Sequence, residues 1–152
     1  MIDDLSLMRF MHTISALHLA PMVAAADPIA PALFICAETN SEVVYQEMDV
    51  QPDFIDGGTK EVTLSRELLK LPAVLAVAAC RELEVPASTL DADAIGDREF
   101  IHIARLESGN ARCIFCTVRS SGGLVYAFHG VTYGDQGRRL IQGPATQINE
   151  PA

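Results

Sequence analysis

The sequence predicts a single-domain α+β protein with about five antiparallel strands and two main helices, in the order α-ββ-α-βββ. The chain of 152 residues is about one domain long, and 49% of its residues are hydrophobic. Short apolar runs bounded by Gly, Asn and Ser indicate strands, and two longer patterns indicate helices. We interpret residues 1–152 as one domain with a frayed tail at 143–152, and expect both helices on one face of the sheet.

The first element is an amphipathic helix. Asp3 or Asp4 suits its N-cap, and Pro21 marks its end. Apolar residues recur at helical spacing between them, at Leu7, Phe10, Met11, Ile14 and Leu17. This spacing predicts that one stripe of the helix faces the core.

A β-hairpin follows the helix. Ala32–Ala37 is a short apolar run that suits a central strand, and Glu42–Val50 suits a second strand. In that second strand the side chains of 43, 45 and 47 point to one face and those of 44, 46 and 48 to the other, so we expect one face to be partly solvated. Residues 38–41 between the two strands have the composition of a turn.

The longest helical pattern covers Thr63–Glu84, and Pro72 inside it predicts a kink or a break. Ala73–Cys80 contains no polar side chain. A helix that is apolar all round is a buried one, so we expect this segment at the centre of the core as a helix.

Three strands close the fold as an antiparallel meander, at Glu99–Leu106, Ala111–Arg119 and Leu124–His129. Short links that contain Gly separate them, as tight turns require. Leu140 and Ile141 offer one more short strand before the tail.

Negative charge is concentrated in the first sixty residues, which contain nine acidic side chains and only two basic ones, Arg9 and Lys60. This stretch carries seven of the nine net negative charges of the chain. Such a field repels nucleic acid and anionic membranes, and no run reaches the ~18 uncharged apolar residues of a membrane span. We therefore expect no nucleic-acid or membrane partner.

A cluster of carboxylates lies in the second predicted strand and the loop after it. Its spacing lacks the pattern of a calcium-binding loop, so the simplest interpretation is a solvated acidic surface. The sharper hypothesis is a docking surface for a basic region of a partner protein. The residues predicted to bind that partner are Glu42, Glu47, Asp49, Asp53 and Asp56.

The four cysteines lie in apolar runs and suit buried thiols, which favours a reducing compartment, the cytoplasm. Cys113 and Cys116 form a C-x-x-C pattern, but residues three apart in a strand project from opposite faces. The pattern therefore predicts two structural thiols, and we expect neither a metal nor another cofactor.

A thiol nucleophile requires a nearby base. The weak candidates are Cys116 with His102 or His129, because all three lie in predicted meander strands. A histidine in a strand is more often a packed residue than a catalytic one.

The sequence thus favours a binding protein over an enzyme. The first hypothesis is an inhibitor, immunity-type protein or chaperone that masks a basic surface of another protein. The first alternative is a ligand-sensing or dimerising regulatory module, in which the sheet and the Ala73–Leu83 segment pack against a small molecule or a second copy. The second alternative is a small cysteine-dependent enzyme.

Overall fold

One antiparallel sheet and two α-helices form the fold in the computed structural model, which describes residues 3–21, 30–86, 110–133, 139–142 and 145–148. The helices are α1 (Asp4–Thr13), which continues as a π-helical segment (Ile14–Leu19), and α2 (Thr59–Leu69). The strands are β1 (Ala32–Thr39), β2 (Glu42–Met48), β3 (Val74–Pro86), β4 (Asn110–Ser120), β5 (Val125–Tyr133), β6 (Arg139–Gln142) and β7 (Thr146–Ile148). The α+β class is confirmed, with slightly more strands than predicted.

Six strands lie side by side in the order β2-β1-β3-β4-β5-β6. Strand β6 pairs with residues 130–133 of β5, and β7 pairs with residues 125–127 of the same strand. Asn40 and Ser41 join β1 to β2 with positive φ angles of 52° and 66°. Two such residues form the turn whose twist matches a β-hairpin, so the predicted hairpin is confirmed.

The second half of the chain contains the predicted hairpin of β4 and β5 and the short strand β6. The third predicted meander strand, Glu99–Leu106, lies outside the described residues. Within the segment 143–152, residues 146–148 form β7 against β5.

The apolar segment predicted as a buried helix at Ala73–Cys80 is a strand from Val74 onward, so that prediction was wrong. Helix α2 ends at Leu69, before Pro72, and β3 then runs between β1 and β4. Val77 and Ala78 are both fully buried although their side chains point to opposite faces. A strand covered on both faces has no polar alternation, so periodicity alone cannot distinguish it from a buried helix.

The two helices cover opposite faces of the sheet, which corrects the expectation that both lie on one face. The cluster under α1 and the π-helical segment includes Leu7, Phe10, Ile14, Phe34, Cys36, Ala78 and Cys116. The cluster under α2 includes Leu33, Val77, Ala79, Leu64 and Leu68. We call these surfaces the α1 face and the α2 face. An amphipathic pattern shows that a helix is buried on one side, but not which side of the sheet covers it.

Helix α1 begins at the predicted cap, because the Asp3 carboxylate accepts a hydrogen bond from the Ser6 backbone N–H at 2.7 Å. Its core stripe departs from the prediction near its end: Leu17 is exposed and Leu19 is buried. The π-helical segment explains the change, because its wider turns rotate the following side chains relative to a continuous α-helix.

Replacing Phe34 by alanine should destabilise the fold by about 3–5 kcal/mol, because the ring is buried under α1 and its removal leaves a cavity. Urea unfolding measures the loss. Phe54→Ala is the matched control, because Phe54 is exposed, and it should cost less than about 1 kcal/mol. Equal losses in the two variants would contradict the described core.

Candidate functional site

Strand β2 forms one edge of the sheet. Among the described residues it pairs with β1 alone, from Thr39 opposite Glu42 to Leu33 opposite Met48. The backbone N–H and C=O groups of alternate residues in an edge strand point away from the sheet. The β2 edge therefore offers hydrogen-bonding groups to an additional extended chain.

Side chains of β2 alternate between the two faces of the sheet, as predicted. Glu47 is opposite Phe34 and Tyr45 is opposite Cys36, so these two residues lie on the α1 face. Glu42 is five positions before Glu47 in the same strand. Because successive side chains alternate between faces, this odd separation places Glu42 on the α2 face. The edge thus carries one carboxylate on each face of the sheet.

Three of the five carboxylates predicted to bind a partner lie together along this edge. Glu42 and Glu47 belong to β2, and Asp49 follows it directly. All three are exposed, and within the described part of the chain none of them takes part in an ion pair or a side-chain hydrogen bond. Between the two glutamates, the exposed Val43 and Val44 add apolar surface on either face.

The other two predicted carboxylates have partners within the chain. Asp53 forms an exposed ion pair with Lys60, with 3.3 Å between Oδ2 and Nζ. Asp56 binds the start of α2: its Oδ1 accepts from the N–H groups of Gly58 at 2.8 Å and Glu61 at 3.1 Å. These backbone hydrogen bonds lower the pKa of Asp56. We therefore centre the candidate site on Glu42, Glu47 and Asp49.

A buried ion pair on the α2 face was not anticipated from the sequence. Glu61 of α2 and Arg119 of β4 are both buried, with 3.5 Å between Oε2 and Nη1. Glu61 also accepts a hydrogen bond from the Gly57 backbone N–H at 3.2 Å. The pair connects the start of α2 to the sheet. Because the ion pair is buried away from solvent, it is a structural contact and does not belong to the exposed β2 edge.

Burial keeps the thiols of Cys36, Cys113 and Cys116 protonated. Desolvation raises the pKa of Cys36 and of Cys113 to about 11, and raises that of Cys116 well above its usual value. Cys116 packs on the α1 face, and strand alternation places Cys113 on the other. Among the described residues, no three His, Cys, Asp or Glu side chains converge to hold a metal ion.

The register gives the surroundings of the candidate nucleophile. Cys116 is opposite Cys80 in β3 and Phe128 in β5, whereas His129 is opposite Phe115. His102 lies outside the described residues. The residues directly opposite Cys116 are thus a cysteine and a phenylalanine, and the register places no imidazole or carboxylate directly opposite this thiol.

Comparisons of the chain with protein-family models, with curated proteins and with solved structures find no match. Neither helix in the described parts of the chain combines the length and the apolar character needed to cross a membrane. A function therefore has to be inferred from the geometry of the chain itself.

Replacing Asp56 by alanine should lower the urea midpoint of unfolding at pH 7, because three N–H groups near the start of α2 lose their acceptor. The pKa of Asp56 is lowered in the folded state from its ordinary 3.8, so the stabilisation is present above that value. The stabilisation disappears as pH falls through the lowered pKa. The difference in urea midpoint between wild type and variant should therefore shrink below pH 3.8.

The controls for that measurement are Asp56→Asn and Asp49→Ala. Asparagine keeps one side-chain oxygen that can accept from the Gly58 and Glu61 N–H groups, as Asp56 Oδ1 does, and should retain most of the midpoint. Asp49 accepts no side-chain hydrogen bond within the described residues, so its removal should change the midpoint little. A gap between wild type and Asp56→Ala that is independent of pH would contradict the assigned role.

Iodoacetamide should leave all four thiols of the native protein unmodified at pH 8, since all four are buried and only a thiolate reacts. In guanidinium chloride all four should react, which mass spectrometry counts. Selective native-state labelling of Cys116 would instead support the hypothesis of a cysteine-dependent enzyme.

Proposed function

We propose that this protein is a non-enzymatic binding module that masks a basic surface of a partner protein by taking up an extended basic segment along the β2 edge. The observation that supports this most is an edge strand, β2, that pairs with no strand other than β1 among the described residues and has exposed carboxylates on both of its faces. Inhibitors, immunity-type proteins and chaperones all act by covering a partner in this general manner.

Backbone hydrogen bonds would supply the part of the affinity that does not depend on the sequence of the bound segment. An extended segment that adds to β2 continues the ladder of the sheet, and its side chains alternate between the α1 face and the α2 face. This mode needs no preformed groove. It also explains why the carboxylates can occupy both faces of an edge and still act on one ligand.

Charge would supply the selectivity. A segment with basic residues five positions apart would bring one cation to Glu47 on the α1 face and another to Glu42 on the α2 face. Each cross-strand pair of opposite charges contributes roughly 0.2–1 kcal/mol. The net charge of −9 would in addition speed the encounter with a basic partner and make it sensitive to salt.

The same charges disfavour a homodimer built by pairing two β2 strands. Each copy carries a net charge of −9 and presents the exposed carboxylates of Glu42, Glu47 and Asp49 along this edge, so two β2 edges would repel each other. The Ala73–Leu83 segment offers no dimer contact through its buried part either, because residues 76–80 are covered on both faces. The proposed occupant is therefore a different, basic protein.

The proposed location is the cytoplasm. Four buried free thiols support it, because a reducing compartment preserves such residues in the thiol form. The fold has the size to form its own core without disulfides.

The test uses a capped peptide, Thr-Lys-Val-Thr-Thr-Val-Lys-Thr, whose lysines are five residues apart and whose order is the same in both directions. NMR titration should shift β2 amides. Glu47→Lys should weaken binding about fivefold, since charge reversal changes one cross-strand pair by about 1 kcal/mol. Raising the salt concentration should weaken it further.

The matched protein control is Glu67→Lys, because Glu67 is an exposed acid on α2 and its reversal changes the net charge equally. It should change the affinity less than about twofold. The matched peptide replaces both valines by proline, which removes backbone donors and should abolish binding. Equal effects of the two reversals, or full binding of the proline peptide, would overturn edge addition.

A further inference from the structure

A groove of about 700 Å³ lies between α1 and β5 on the α1 face, and the proposed docking edge does not use it. Its size falls within the range of small-molecule sites. Strand β5 is four strand spacings from β2, or roughly 19 Å, so the groove and the edge can be tested separately.

Helix α1 supplies one wall of the groove with a stripe of side chains at helical spacing. The stripe begins with a carboxylate, has an apolar middle and ends in an imidazole and a hydroxyl; its residues are Asp4, Leu7, Met8, Met11, His12 and Ser15. Asp4 and His12 are about 12 Å apart along the helix axis. The wall therefore suits an elongated ligand with an apolar body.

The helix changes its geometry at this wall. The π-helical segment begins at Ile14, and the Ala20 N–H donates to the carbonyl of Ser15, a π-helical hydrogen bond. The Ser15 hydroxyl donates to the carbonyl of Met11 at 3.1 Å. Single π-helical turns are rare and are found frequently at functional sites. Ser15 belongs both to this segment and to the wall of the groove, so the irregular turn lies at the end of the groove.

The sheet supplies two aromatic rings on the opposite side. Tyr126 and Phe128 are two residues apart in β5, so both side chains lie on the α1 face, and both line the groove. Phe128 is 2% exposed and Tyr126 is partly buried, so the two rings add apolar surface to the groove. The thioethers of Met8 and Met11 adapt to varied apolar shapes.

We propose that this groove binds a hydrophobic amine, that is, a small molecule with an elongated apolar body and a cationic nitrogen at one end. The cation lies near Asp4, and the body contacts Met8, Met11 and the ring of Phe128. The negative field of the chain favours the same charge. This site is independent of the β2 edge and of its basic segment.

The test compares three probes with the same body: 4-phenylbutylamine, 4-phenylbutanol and 4-phenylbutyrate. NMR of the protein labelled with ¹³C at its methionine methyl groups should show saturable shifts of Met8 and Met11 with the amine. Met48 packs on the α2 face and serves as the internal control, so its methyl should not shift. The amine should bind about threefold to fivefold more tightly than the alcohol, as expected for an ion pair with an exposed carboxylate, and the butyrate should bind more weakly than both.

Asp4→Asn should reduce the affinity for the amine to about that for the alcohol and leave the alcohol unchanged. Glu47→Lys should leave the binding of all three probes nearly unchanged while it weakens the peptide at β2. The proposal is overturned if the butyrate binds as well as the amine, if Met48 shifts with Met8 and Met11, or if no probe shifts these methyl groups.

Discussion

Strand β3 carries no polar side chain from Val74 to Cys80, and such a strand is stable only where both faces of the sheet exclude water. This constraint places α1 and the π-helical segment on one face and α2 on the other. Phe34 and Leu33, adjacent in β1, accordingly belong to different hydrophobic clusters. The position of each helix follows from the need to cover this strand.

Covering both faces also determines where the protein can bind other molecules. The middle of the sheet is occupied, which leaves its edges and the margins of the helices. Strand β2 lies at an edge with Glu42 and Glu47 on opposite faces, and the margin of α1 borders a groove with Asp4 at one end. Both surfaces carry an exposed carboxylate, which favours cationic partners, a basic segment at the edge and an amine in the groove.

The sequence allowed correct prediction of the parts of the fold that local chemistry determines. The Asp3 cap, the hairpin turn at Asn40 and Ser41, and the alternation in β2 are set by neighbouring residues. The helix predicted for Ala73–Cys80 was wrong because a strand buried on both faces lacks the alternation that identifies strands. Leu17 was misplaced because nothing in the local spacing indicates a π-helical turn.

The site was only partly accessible to the same reasoning. The acidic segment was visible as charge, but the distinction between its edge residues and Asp56, which binds N–H groups at the start of α2, depends on hydrogen bonds formed in the fold. The pair of Glu61 and Arg119, and the groove between α1 and β5, join residues more than fifty positions apart, and no local pattern signals such contacts.

Native-state hydrogen exchange is the most direct test of the arrangement on which all of this depends. The amides of Ala76–Ala79 should exchange only through global unfolding, and alternate amides of β2 should exchange orders of magnitude faster. Rapid exchange in β3, or uniform protection along β2 in the isolated protein, would contradict a central strand flanked by an open edge.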